Sequence, residues 1–313
     1  MSAARDAAAG FGSGSGSGSD SGSGRGSQGV GPGSVTQCAT CGVERAEPLP
    51  EVCPICADER QYVPVAGQRW TTPEQSRAAG ASIEFTERET DVIGLEQKDC
   101  PGIGQRPSLI RTDHGNVLVE VPNHISDEAV AAIRGWGGLS AIIASHPHMY
   151  GVQSLWSAAF DYCPVYVSAP DEEWLGLRPH NTIVWGGGHA AGPEDGGEIE
   201  ILPGVRASQP GGHFPGSVVV HWTAPDGAGV LFSGDTIGTV ADREWVTFMR
   251  SFPNWMPLSG AVVRRIADHV SRYEFERLYS NFGGCVPHDA RGAVQRSAER
   301  YAAWVAGEYD HLT

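Results

Sequence analysis

The chain has 313 residues, enough for one large domain with a sizeable core and a second, small unit. Asp and Glu outnumber Lys and Arg by 37 to 22, giving a formal net charge of −15, which argues against a nucleic-acid partner. No run of about 20 apolar residues and no secretory signal is present, so we expect no membrane span and a cytoplasmic protein with reduced thiols.

The first segment, residues 1–34, contains 11 glycines and 9 serines, including an unbroken Gly-Ser alternation from Gly12 to Ser19. Almost nothing in it could be buried in a core. This composition predicts a disordered tail.

Four of the seven cysteines fall within residues 35–62 as two Cys-x-x-Cys pairs with 11 residues between them: Cys38 and Cys41, then Cys53 and Cys56. Each pair can turn two thiolates toward one point, and two pairs complete the tetrahedron that zinc accepts from sulfur. Disulfides or a redox pair are the alternative, which a reducing compartment disfavours. The spacing therefore predicts a small zinc-ribbon-like module that holds one structural zinc ion.

Residues 69–313 alternate short apolar strands with amphipathic helices. We predict strands at Ser108–Arg111, Val117–Val121, Ala141–Ala144, Val165–Ser168, Ile199–Leu202, Val218–Trp222, Val230–Phe232 and Leu278–Phe282. Helices are predicted from the cap Ser126 to Gly135 and at Val152–Phe160, Ser259–Ser271 and Ala290–Ala306. Hairpins mixed with helices at this density indicate layered sheets covered by helices, an α+β arrangement.

Potential metal ligands follow four separate strands of this domain. His146 and His148 come after Ala141–Ala144. His213 stands in a glycine-rich loop, Asp235 follows Val230–Phe232, and His288 comes after Leu278–Phe282. Imidazole and carboxylate groups at neighbouring strand ends can converge on one metal ion.

The order His-x-His, Gly-Gly-His, Gly-Asp and a final His resembles the metallo-β-lactamase fold superfamily of metallohydrolases over most of residues 83–313. The resemblance implies a four-layer αβ/βα sandwich with metal at one edge of the paired sheets. The cysteine module is similar to that of an uncharacterised branch with an N-terminal zinc knuckle. By this resemblance His146, His148 and His213 hold the first metal, and Asp235 corresponds to the residue that usually bridges two metals.

One departure concerns the second metal. The superfamily motif continues His-x-His-x-Asp-His, whereas this chain has Tyr150 and Gly151 at the last two positions. Tyr150 either donates a hydrogen bond to a developing oxyanion, as a catalytic residue, or is a packed aromatic. His288 is either a metal ligand or a residue that contacts substrate or caps the next helix.

Residues 245–257 are unusually aromatic for a solvent loop. They either form the wall of an apolar pocket near the metal, with Arg250 available for an anionic group, or pack into the core.

These residues together favour a hydrolase in which a zinc-bound hydroxide attacks a small ester, thioester, lactone or amide-like substrate, with Asp235 as ligand or base. The cofactors are then one catalytic and one structural zinc. Because His and carboxylate ligands also suit iron, an iron-dependent oxidoreductase is an alternative, and a non-catalytic binding module is another. The expected partner is a small molecule, and the sequence specifies no oligomeric state.

Overall fold

A computed structural model describes residues 35–187 and 197–313, so the tail predicted at residues 1–34 lies outside the described residues. The cysteine module contains helix α1 (Pro54–Ala57) and a small antiparallel sheet in the order β2-β1-β3. These strands are β1 (Thr36–Cys38), β2 (Glu44–Arg45) and β3 (Trp70–Thr71). Since β3 pairs with β1, the module's sheet includes residues beyond the four-cysteine segment at 35–62.

The first large sheet has seven strands in the order β10-β9-β8-β7-β6-β5-β4. Its strands are β4 (Ser82–Glu89), β5 (Val92–Lys98), β6 (Ser108–Thr112), β7 (Gly115–Val119), β8 (Ala141–Ile143), β9 (Val165–Ser168) and β10 (Thr182–Trp185). Strands β4 to β7 are antiparallel, and β7 to β10 are parallel. Helices α3 (Asp127–Gly135) and α4 (Gln153–Ala159) lie in the connections between the parallel strands, and α2 (Pro73–Ala78) precedes the sheet.

The second large sheet has six strands in the order β11-β12-β13-β14-β19-β20. They are β11 (Glu198–Leu202), β12 (Val205–Ser208), β13 (Val219–Thr223), β14 (Gly229–Phe232), β19 (Arg277–Tyr279) and β20 (Cys285–Val286). Two hairpins stand between β14 and β19: β15 (Gly238–Thr239) with β16 (Val246–Thr247), and β17 (Met249–Ser251) with β18 (Met256–Pro257). Helices α5 (Gly260–Val270) and α6 (Ala290–Val305) complete the chain's regular elements.

The alternation of side chains along the strands divides the core into layers. In the first sheet, Leu109 and Leu118 pack with α3 and α4, while Ile110 and Val117 face the second sheet. On the second sheet, Leu231 faces the other way and packs with α5 and α6. Helices therefore cover the outer face of each sheet, which confirms the predicted αβ/βα sandwich.

The helix ends follow the sequence signals closely. Ser126 accepts a hydrogen bond from the N–H of Ala129 at the start of α3, and Ser259 does the same for Val262 at the start of α5. Each cap satisfies a donor that has no partner within the helix. Among the described residues, no helix combines the length and the apolar character needed to cross a membrane.

Five strands of the two large sheets were not predicted: β4, β5, β10, β12 and β20. Strand β4 is an edge strand with several charged residues and only partial burial, so its apolar signal is weak. The strand predicted at Leu278–Phe282 ends at Tyr279, and the chain then turns back into β20.

Candidate metal centre

The four cysteines of the module are all buried, and their sulfur atoms lie within 4.8 Å of one another. The sulfurs of Cys38 and Cys56 are 3.7 Å apart, and those of Cys41 and Cys53 are 3.8 Å apart. A Zn–S bond of about 2.3 Å places tetrahedral ligands about 3.8 Å apart, whereas a disulfide needs about 2.05 Å. The four thiols are unbridged and fit a structural zinc ion.

Neighbouring donors also favour thiolate ligands in this cluster. The backbone N–H of Thr40 and the side-chain amide of Gln68 both donate to the Cys38 sulfur, at 3.4 and 3.3 Å. Such donors stabilise negative charge on sulfur and orient it.

A second cluster forms where strands of both large sheets end. His146 follows β8, and His148 lies in a short 3-10 helix, Pro147–Met149. His213 lies in the loop between β12 and β13, and Asp235 follows β14. All four side chains are buried, and one ligand atom of each lies within 4.8 Å of the others.

The ring nitrogens of these histidines are arranged as metal ligands require. The Nε2 atoms of His146, His148 and His213 are buried and have no hydrogen-bond partner. Those of His146 and His213 lie 3.5 and 3.9 Å from Oδ2 of Asp235, close to the spacing of about 3.3 to 3.6 Å between tetrahedral ligands of zinc. Because buried polar atoms are normally paired, these three nitrogens are suited to bind a metal ion.

The tautomer of His213 is set by the backbone. Its Nδ1 lies 3.1 Å from the carbonyl oxygen of Met249, and a carbonyl can only accept. Nδ1 therefore carries the proton, and the lone pair of Nε2 points toward the cluster. Nδ1 of His146 is likewise held, 2.8 Å from the hydroxyl of Ser145.

Burial keeps the histidines neutral, as metal ligands must be. It lowers the pKa of His146 and His148 well below the usual range, and it lowers the pKa of His213 to about 4. Burial raises the pKa of Asp235 to about 7, although the nearby side-chain amide of Asn281 opposes the shift. Both directions reflect the cost of charge in a site shielded from water, which a bound cation would offset for the carboxylate.

Two residues to which the sequence analysis gave no role of their own hold the loops of this cluster together. Gly234 has φ = 58°, and a Cβ there would lie 2.5 Å from Cβ of Ser145, so only glycine lets the two loops meet. Glu120 is buried directly after β7 and accepts the backbone N–H of Ser145 at 2.9 Å. The available signal was an acidic residue at the end of an apolar strand.

Beside the cluster lies a cavity of about 450 Å³ that is lined in part by residues of the cysteine module. His148, His213 and Asp235 form its floor. Its other lining residues come from four separate segments and are mostly apolar or aromatic: Arg60, Gln61, Tyr62, Gly102, Ile103, Phe252, Pro253 and Phe282. A small molecule in this cavity would contact the metal ligands directly.

The aromatic stretch at residues 245–257 takes both of the roles considered for it. Phe252 lines the cavity, whereas Phe248 is fully buried and packs against Tyr301. Arg250 differs from its expectation, because its guanidinium is paired with the carboxylate of Glu59 and does not line the cavity.

The expectation that His288 is a metal ligand is corrected by the topology. Strands β14 and β19 are parallel and end at the same edge, but β20 runs antiparallel to β19 and returns the chain to the opposite edge. The side chain of His288 is 86% exposed there, with Nδ1 3.9 Å from Glu276. His288 is therefore outside the cluster.

Tyr150 and Gly151 lie behind the metal ligands. Tyr150 is buried, and its hydroxyl donates to the carbonyl oxygen of Asp171 at 3.0 Å. Burial, with the nearby Asp171 charge, raises the pKa of Tyr150 well above its usual value. The phenol is thus held by the backbone as a packed aromatic, and the expectation that it faces an oxyanion is corrected.

Comparisons with known proteins show which proteins this chain resembles in sequence and in fold. No protein-family model matches the chain. The uncharacterized protein YmaE of Bacillus subtilis (strain 168) is 37% identical over 278 residues, which is 88% of this chain and 98% of YmaE.

Solved structures share the fold at low sequence identity. The DIM-1 metallo-β-lactamase has a TM-score of 0.53 and 15% identity, over 72% of this chain and 99% of its own. VMB-1 has a TM-score of 0.52 and 11% identity, over 72% of this chain and 98% of its own. Because identities this low establish the fold alone, the relative supplies the family. The chain therefore belongs to the family of YmaE and has the metallo-β-lactamase fold.

Proposed function

We propose that the protein is a metal-dependent hydrolase, with zinc at the cluster of His146, His148, His213 and Asp235. Its substrate is a small ester, thioester, lactone or amide-like molecule bound in the adjoining cavity. The observation that carries this proposal is the set of three buried, unpartnered Nε2 atoms that converge beside one carboxylate at the floor of a cavity.

The donor set suits this chemistry. Three neutral imidazoles and a carboxylate are ligands that zinc accepts, and a zinc ion there would lower the pKa of a bound water to about 7. The protein's own groups supply the rest: the carbonyl of Met249 fixes the His213 ring, and Glu120 holds the loop before His146. Asp235 is placed to act as a ligand or to accept a proton.

We expect a single metal ion at this cluster, because the described residues around it offer no second set of ligands. The hydroxyl of Tyr150 is bound to the backbone, Gly151 has no side chain, and His288 lies at the other edge of the sheet. Together with the cysteine module, the chain should hold two metal ions, one structural and one catalytic.

The experiment is metal analysis coupled to an activity panel. The full chain is purified without added metal, zinc and iron are quantified, and the same sample is assayed on esters, thioesters, lactones and amides. His213→Ala serves as the matched variant that lacks one ligand. We expect zinc at about two ions per chain and turnover that His213→Ala abolishes.

Other outcomes select the alternatives. Iron at the cluster with oxygen-dependent turnover would identify an oxidoreductase. A fully loaded cluster without turnover on any of these substrates would favour a binding module.

A further inference from the structure

The cysteine module places an arginine in the wall of the cavity. Arg60 follows helix α1 by three residues, and its side chain is 7% exposed. The guanidinium carbon lies 4.0 Å from the ring centre of Phe214. That ring in turn packs against His148 and His213, at 5.1 and 5.4 Å between ring centres. The cation is therefore fixed beside the metal ligands.

The guanidinium of Arg60 has hydrogen-bond donors to spare. Asp58 accepts from its Nη1 at 2.8 Å, and the same carboxylate oxygen accepts the backbone N–H of Arg60. Nε is buried and has no acceptor among the described residues. Since an unpaired buried donor is costly, an acceptor brought by a ligand would be favourable here.

The charge around the cavity favours an anionic ligand. Asp235 is the one acidic residue among those that line it, and it belongs to the proposed metal site. Arg60 is paired with Asp58, and the neighbouring Arg250 is paired with Glu59. With a divalent ion at the cluster, the cavity carries net positive charge between apolar walls formed by residues such as Phe252 and Phe282.

We infer that Arg60 is a specificity residue that binds an oxyanion of the substrate, a carboxylate or a phosphate, while the bond to be hydrolysed lies at the metal cluster. This inference rests on the proposed function. A guanidinium presents parallel N–H donors that match such groups. The cysteine module then contributes to substrate recognition as well as to folding, because the chain that leaves the module after Cys56 brings Arg60 to the wall of the cavity.

The test uses thiols as probes, because a thiolate binds the catalytic metal without being hydrolysed. The zinc-loaded full chain is titrated calorimetrically with 3-mercaptopropionate, with its neutral amide 3-mercaptopropionamide, and with 2-mercaptoethylphosphonate. Titrations are repeated with Arg60→Gln and Arg60→Lys. Arg250→Gln is the matched control, because that arginine is also paired with a carboxylate but lies outside the cavity lining.

We expect Arg60→Gln to lower the affinity for at least one anionic thiol by about tenfold and to leave that for the amide unchanged. Arg60→Lys should retain part of the preference for the anionic thiol over the amide, and Arg250→Gln should retain all of that preference. The anion with the larger loss identifies the group on the substrate.

Two results would overturn the inference, and they are distinguishable. If all three thiols bind but Arg60→Gln changes them equally or not at all, Arg60 does not recognise the anion, and the proposed function stands. If the unmodified protein takes up no metal at the histidines or binds none of the thiols, the proposed function fails and this inference fails with it. Zinc content and thermal melting of each variant show whether it remains folded.

Discussion

Gly151 lies so close to the backbone of Pro122 that a Cβ built on it would be 2.6 Å from the Pro122 carbonyl oxygen. The carbonyl oxygen of Val121 would be equally close, and the φ angle of Gly151 is +49°. This position therefore excludes any side chain, including the histidine that would hold a second metal in the superfamily motif.

We predict that Gly151→Ala lowers the free energy of unfolding by about 2 to 4 kcal/mol, because backbone strain and a backbone clash add. The matched control is Gly204→Ala, where φ is +81° but no atom lies within 4 Å of the added Cβ. In that control, the free energy of unfolding should fall by about 1 kcal/mol. Urea denaturation of both variants measures the difference.

The same clash decides whether a second metal can be restored. The double change Tyr150→Asp, Gly151→His supplies both missing ligand types, and from the sequence alone it should raise the metal content by one. The structure predicts instead a destabilised protein with no additional metal. A stable double variant with three tightly held ions per chain would contradict this.

The two histidines predicted as ligands from separate loops should behave differently. We expect His213→Ala to lose the cluster metal, reducing the content from two ions to one. His213 is buried and donates to the carbonyl of Met249, so the change should also lower the free energy of unfolding by about 1 to 3 kcal/mol. This loss is larger than a position in a glycine-rich loop would suggest. His288→Ala should keep both ions and full stability, since that side chain is exposed.

Metal content after dialysis, together with urea denaturation, checks both variants. Loss of an ion from His288→Ala would restore His288 as a ligand, while two ions in His213→Ala would show that the site is misplaced.

The sequence was informative wherever a ligand directly follows an apolar strand. His146, His148 and Asp235 could be predicted because the ends of neighbouring strands meet at one edge. His288 could not be placed, because its position depends on whether the chain turns back after β19, and the turn residues there do not specify strand direction.

Arg60 was missed for a different reason. It is 153 residues from His213 in the chain, and its place in the cavity depends on how the module docks on the domain. Near Arg60 that docking uses backbone acceptors: the Asn254 side chain donates to the carbonyls of Glu59 and Gln61, and Ser251 donates to that of Arg60. Because every residue has a backbone carbonyl that can accept, no sequence pattern predicts which carbonyls form these contacts.

Removal of one thiolate should separate the two metal sites. We predict that Cys53→Ser loses the structural ion, because three thiolates hold zinc far less tightly, while the histidine cluster keeps its own. The four cysteines share one buried cluster with core residues such as Leu118, so the overall stability should fall as well. Cys100→Ser makes the same exchange outside both clusters and should keep two ions. Metal analysis of the two variants measures this, and retention of both ions by Cys53→Ser would exclude the zinc module.

A buried carboxylate that joins the module to the domain should make stability depend on pH. Glu44 of β2 accepts from the backbone N–H of Ser154 at 2.7 Å, near the start of α4, and it also binds that residue's hydroxyl. Burial raises the pKa of Glu44 to about 8, against about 4.3 in an unfolded chain, although the hydrogen bonds from Ser154 oppose the shift. The folded state then binds the proton more tightly than the unfolded state does.

The sign of the effect follows from that proton. Between about pH 4.3 and pH 8 the folded chain keeps a proton that the unfolded chain has released, so stability falls as the pH rises, by at most about 1.4 kcal/mol per unit.

The variant Glu44→Gln has no titrating group at this position, and its amide can accept from the N–H of Ser154 and donate to the hydroxyl. We therefore expect the unfolding free energy of the unmodified protein, minus that of Glu44→Gln, to decline from pH 5.5 to pH 8. Urea denaturation at four pH values on fully metal-loaded samples measures it, with the exposed Glu51→Gln as the charge-matched control. Parallel curves for the unmodified protein and Glu44→Gln would mean that Glu44 is ionised in the fold and that its contacts with Ser154 outweigh its burial.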